Sequence, residues 1–214
     1  MFLFRLVIHN QIAPLIQLTN MPASRLPTYV VKIVRDDLLD DAYLAVAGES
    51  DIAEISLVPG FKCDWTALWN NTDFDCEALV KLTYQGKIQG IVKFALYPYP
   101  APDGIPRFTE ILNIESLSGA DRTVSPVGLW LIWYSVKICL EVGCSGDANG
   151  SILVLISLEL AIPYYRSKVR MEGLQWTTLS PDEEGYAFRF SKSQAIEFLN
   201  GITNKYGAAI ELPE

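Results

Sequence analysis

Histidine is almost missing from this chain: His9, near the N-terminus, is the only one in 214 residues. A His-rich metal centre is excluded by that count. The four cysteines, Cys63, Cys76, Cys139 and Cys144, include no Cys-x-x-Cys pair, so the spacing of a structural zinc site is absent too, and no metal is expected. They also lack the density of a small secreted disulfide scaffold and read as reduced thiols in a cytoplasm. Positive charge is short: 17 Lys and Arg against 25 Asp and Glu leave a net charge of -8, with no basic stripe to neutralise phosphates, which speaks against a nucleic-acid partner. The opening apolar stretch Met1–Ile8 is interrupted by Arg5 and falls well short of the about 20 residues that span a bilayer, so no membrane partner is expected. It lacks the charged n-region of a signal peptide and reads as a first strand or an ordered arm. No Gly-x-Ser-x-Gly elbow occurs, which argues against a serine hydrolase.

What is present is a core. Half of the residues are hydrophobic and 20% are charged, enough for one substantial domain, and no repeat or Pro/Gly/Ser-rich linker divides it. The expected organisation is an arm over residues 1–27 followed by a single domain over 28–214. Tyr29–Arg35 is short and β-branched and predicts a strand. Asp36 then has the character of a helix cap, with Leu38, Leu39, Ala42, Tyr43 and Val46 on the helix that follows. A second short helix is expected around Trp65, Leu68 and Trp69. Ala78–Tyr84, the turn Gln85-Gly86-Lys87 and Ile88–Tyr97 form the clearest local signal, an antiparallel hairpin. A proline-rich loop over Pro98–Pro106 leads to a strand over Thr109–Leu117. Val127–Val142 carries only Lys137 and Glu141 as charges and predicts a largely buried helix. Ser151–Ile156 is a buried strand, a helix runs through Glu159, Ala161 and Tyr165, and the tail adds Leu174–Leu179, Tyr186–Ser191 and a final helix through Ala195, Phe198 and Ile202. The fold class expected is α/β (α+β), a mixed and mostly antiparallel sheet flanked by helices.

This order, with Ala161-Ile162-Pro163-Tyr164-Tyr165-Arg166-Ser167-Lys168 after the short buried strand, resembles the GNAT acetyltransferase superfamily over Tyr29–Ser191. Tyr164-Tyr165 stands at the Phe-Tyr of the family's Ala-x-x-Phe-Tyr-x-Lys pattern. The resemblance implies an acyl-CoA-dependent N-acetyltransferase. Its co-substrate is acetyl-CoA and its acceptor a small-molecule or peptide amine; dimerisation, common in that superfamily, is implied as well. The alternative is a GNAT-like protein that has lost catalysis and serves as a binding or interaction module.

Acetyl-CoA pyrophosphate in the family rests on backbone amides of a Gln/Arg-x-x-Gly-x-Gly/Ala loop at a helix N-terminus, where unpaired N–H groups and the helix dipole favour an anion. The best register puts Thr123 at Gln/Arg, Pro126 at the first Gly and Gly128 at Gly/Ala, so one cradle amide is expected to be missing at the proline. Leu117, Arg122, Thr123, Val127, Gly128 and Leu129 are the cofactor-binding residues the resemblance implies. The donor would lie in a V between the strands ending near Leu117 and Ile156. Tyr165 matches the family's tyrosine acid toward the leaving thiolate, and Glu115, nearer the loop than Glu110, is the candidate base. On a regular strand Glu110 and Glu115 point to opposite faces, so only one can reach the cleft.

Overall fold

The computed structural model describes residues 26–117, 121–180 and 183–213. Met1–Ile8 lies outside them. Nine strands form one sheet in the order β7-β8-β6-β5-β4-β3-β2-β1-β9. They are β1 (Tyr29–Arg35), β2 (Leu38–Val46), β3 (Glu77–Tyr84), β4 (Lys87–Tyr97), β5 (Phe108–Ser116), β6 (Ser151–Ser157), β7 (Glu172–Ser180), β8 (Glu183–Ser191) and β9 (Ile210–Glu211). All neighbouring pairs are antiparallel except β5 with β6. The α/β class expected from the sequence, a mixed and mostly antiparallel sheet flanked by helices, is the one observed.

The helix expected after Asp36 is instead β2. Asp36 and Asp37 both take positive φ, 49° and 64°, the turn that folds β1 straight back on β2. Aspartate tolerates that region better than most residues, so the pair serves as a hairpin turn rather than a cap. In β2 it is Ala42 and Leu44, two apart, that are buried, while Leu38 and Leu39 stand in solvent.

Two helices unannounced or only outlined by the pattern, α1 (Glu49–Ile55) and α2 (Trp65–Asn70), cover one face of the sheet, packing Ile52, Ile55 and Trp65 on Leu79, Ile88 and Ile91. Lys93 ties α2 to that face. Buried on β4, it pairs with Glu77 at 2.7 Å and donates to the Leu68 carbonyl at 3.3 Å. The other face carries α3 (Val127–Glu141), whose apolar sides all have partners: the sheet beneath, and α5 (Lys192–Tyr206) beside it. Between β6 and β7 the chain makes a 3-10 turn (Glu159–Ala161), the short α4 (Ile162–Tyr164) and a π-helical turn (Tyr165–Val169) that ends on Arg170 at φ 63°. No helix among the described residues is long and apolar enough to cross a membrane.

Two features aim α3 at the middle of the sheet. Gly90 on β4 leaves room for the first turn, since a Cβ there would stand 2.6 Å from Val127 Cγ1. Ser125, just before the helix, exchanges both backbone hydrogen bonds with Val34 of β1, at 2.6 and 3.1 Å.

Candidate active site

Parallel pairing between β5 and β6 covers only Thr109↔Leu153, Glu110↔Val154 and Ile111↔Leu155. Beyond Ile111 the strands part. The fork therefore opens near the centre of β5, and among the described residues the β6-facing amides of β5 past it have no strand partner. Leu112 is the cause. On the β4 side Lys93 pairs with Asn113 and Phe94 with Ile111, so Leu112 is the extra residue of a bulge, which bends the strand that carries it.

The bulge also overturns the alternation expected of Glu110 and Glu115. Glu110 lies opposite Ala95 and Glu115 opposite Ile91, and those two, four apart on β4, share a face. Both carboxylates therefore stand on the face that carries α1 and α2. Glu115 is fully engaged there: it accepts from the backbone N–H of Lys62 at 2.7 Å and of Cys63 at 3.2 Å, and from Trp65 Nε1 at 2.9 Å. It holds the approach to α2 against the sheet. Removing it strands the indole N–H of a buried tryptophan, so Glu115→Ala should cost about 2 kcal/mol and lower the thermal midpoint by roughly 4–8 °C, read by calorimetric melting. Glu110 is the opposite case. It sits one residue before the fork, half-buried, and among the described residues no hydrogen bond or ion pair meets its carboxylate; burial alone raises its pKa above the usual carboxylate value.

The N-terminus of α3 points at a cavity of about 890 Å³ lined by Arg122, Val127, Gly128, Leu129, Tyr164 and Tyr165, and by Glu115 but not Glu110 of β5. Pro126 is the cap residue of α3, and no side chain caps the helix. The missing N–H of proline is thus not one of the helix's own: the first-turn amides of Val127, Gly128 and Leu129 are all present and free of intrahelical partners. Pro126 itself, just before that turn, has no N–H to give. Arg122, Lys168, Arg170 and Lys205 line the same cavity, and among the described residues none of them forms an ion pair.

Of the other residues singled out from the sequence, Tyr165 lines this cavity, whereas Leu117 and Thr123 do not. Leu117 is buried, its carbonyl accepting from Arg122 Nε at 2.9 Å. Thr123 turns away from the helix end and donates its hydroxyl to Gln89 Oε1 at 3.1 Å. Tyr165 is buried against Phe188, and burial pushes its phenol up to about 12. Tyr164, which the sequence reading used only as a motif match, lies over the helix end. A Cβ on Gly128 would stand 2.7 Å from its hydroxyl, and burial first, then Tyr165, raises its pKa. Lys168, Arg170 and Lys205 were also missed. Their only signal was basic residues in an acidic chain, which cannot say what they surround.

No protein-family model and no curated protein matches the sequence. Solved structures do. An uncharacterized protein from Bacillus halodurans aligns over 83% of this chain and 98% of its own, with a TM-score of 0.54 at 10% identity. Arabidopsis thaliana NAA60 in complex with acetyl-CoA aligns over 70% of this chain and 97% of its own, with a TM-score of 0.50 at 11% identity. A GNAT-family acetyltransferase from Bacillus cereus aligns over 71% and 97%, with a TM-score of 0.47 at 12% identity. The chain has the GNAT fold. Identities this low carry likeness of fold and nothing finer.

Proposed function

We propose that this chain binds acetyl-CoA at the N-terminus of α3 and transfers its acetyl group to an amine. The observation that carries the reading is the first turn of a fifteen-residue helix, uncapped, opening on a cavity lined by four cations without ion partners among the described residues and by two carboxylates, Glu115 and Glu197, in a chain of net charge -8. Such a site favours a multiply charged anion. Val127, Gly128 and Leu129 offer amides to the pyrophosphate, with Arg122 alongside. The thioester end reaches the fork, where the unpartnered β5 amides beyond Ile111 are placed to polarise its carbonyl. Glu110 is the better base. It has acceptor capacity to spare, and its raised pKa makes it a stronger proton acceptor than an ordinary carboxylate, whereas the oxygens of Glu115 are taken. Tyr165, protonated throughout the neutral range, is the proton donor to the departing thiolate. The amine enters from the α1–α2 face, loses a proton to Glu110, attacks the carbonyl carbon, and the C–S bond breaks.

The test is calorimetric titration of the protein with acetyl-CoA and with CoA. Saturable one-site binding that weakens with added salt is expected. Absence of heat at millimolar ligand removes the donor from this site and leaves the reading of a GNAT-like interaction module, which Tyr164 lying across Gly128 would then favour.

A further inference from the structure

The sequence resemblance to the GNAT superfamily runs to about Ser191, and the chain continues directly into α5. Gln194, Glu197, Phe198, Gly201, Ile202 and Lys205 all line the donor cavity, and their spacing of three and four makes them one stripe of that helix over about three turns. The π-helical turn borders the same cavity and brings Lys168 and, at its end, Arg170. Phe198 and Ile202 are buried and form an apolar floor. Between them the stripe has a gap: nothing lies within 4 Å of where a Cβ on Gly201 would stand. Glycine is the weakest ordinary helix former apart from proline, and the middle of a helix is where it costs most. Open space facing a cavity is a use that would keep it there.

Charge along the stripe is graded. Lys205 lies at the end beside Tyr206, whose ring is 6.3 Å from Trp130 on the first turns of α3, while Gln194 and Glu197 lie at the far end. We propose that this groove takes the adenosine 3′-phosphate end of the donor. The adenine lies on Phe198 and Ile202 at the Gly201 gap, its exocyclic amine faces Glu197 and Gln194, and the 3′-phosphate sits between Lys205 and the Lys168–Arg170 wall. The proposal rests on the donor reading above. It adds that a helix beyond the region of family resemblance makes this chain select the nucleotide portion of CoA. A flat heterocycle with an apolar face and an amino edge fits an apolar floor ended by acceptors, and a phosphate dianion fits the basic end.

The test compares CoA, 3′-dephospho-CoA and 4′-phosphopantetheine, which lacks adenosine altogether, by calorimetry on the full chain. The parent should prefer CoA to 4′-phosphopantetheine roughly ten- to a hundred-fold. Gly201→Leu, which fills the gap with a better helix former, should erase that preference, leave 4′-phosphopantetheine affinity within about two-fold, and not lower the melting temperature. Lys205→Gln should weaken CoA about five- to ten-fold and leave 3′-dephospho-CoA unchanged. If Gly201→Leu melts below the parent, Lys205→Gln decides alone. A Gly201→Leu variant that binds CoA like the parent, a Lys205→Gln variant that weakens both nucleotides equally, or a parent without preference places the adenosine elsewhere and leaves the donor reading standing. A parent that binds none of the three ligands overturns both.

Discussion

Glu110→Gln is expected to slow acetyl transfer about 10²–10⁴-fold at saturating donor while leaving acetyl-CoA affinity unchanged, because the amide keeps the shape of the side chain and cannot accept the proton of the amine. In the parent the rate rises as pH climbs through the ionisation of Glu110, which burial holds above 4.5, and in the variant that rising limb is lost. Stability should move the other way. The folded state favours the neutral carboxyl, so below about pH 4.5 the group is protonated in folded and unfolded chains alike and costs nothing. As pH passes the folded pKa, the parent must hold a carboxylate out of water and loses stability that glutamine retains. Glu110→Gln should therefore melt above the parent at about pH 7 and level with it at about pH 4. Unchanged turnover together with an unchanged melting temperature at both pH values would remove Glu110 from the mechanism.

Gly128→Leu should reduce CoA affinity more than about 100-fold, measured by the same titration. Gly128 is the second residue of α3, and a branched side chain there would cover the first-turn amides that open on the cavity. The smaller Gly128→Ala tests the contact on which this depends. Its Cβ would meet the Tyr164 hydroxyl at 2.7 Å, and overpacking of this kind costs about 1–3 kcal/mol. Adding Tyr164→Phe removes the opposing oxygen and should recover most of the loss in thermal or urea melts. Strict additivity of the two changes would show that the residues do not touch. Because the phenol lies where the first-turn amides open, Tyr164→Phe alone is also the milder probe of whether it guards them.

Strands and helices that announce themselves by local pattern were legible. The β3–β4 hairpin declares itself through Gln85-Gly86, both at positive φ, and α3 through a run too long and too apolar for a strand. Asp36-Asp37 misled, because the same short polar side chain that caps a helix also tolerates the left-handed turn of a hairpin. Which one forms is settled by pairing: β2 gains β1 on one side and β3 on the other. α1 and β9 carry no strong periodic signal, being short, and β9 exists only because β1 offers it an edge.

By itself the sequence determined the class of the fold and the order of elements that brings a helix start after the central strand, since each follows from local periodicity and turn chemistry. It also determined that Gly128 would stand in the first turn of that helix. Tertiary structure alone decided which carboxylate is held by hydrogen bonds. One extra residue, Leu112, moved Glu115 onto the face of Glu110, and the amides of Lys62 and Cys63 with the indole of Trp65 then consumed its oxygens. It alone gathered Arg122, Lys168, Arg170 and Lys205, which lie up to 83 positions apart (205 − 122), around one cavity. The physical reason is the same in both cases: secondary structure depends on neighbours within a few positions, whereas hydrogen-bond engagement, burial and the meeting of charges depend on which distant segments the sheet register and the helix packing bring side by side.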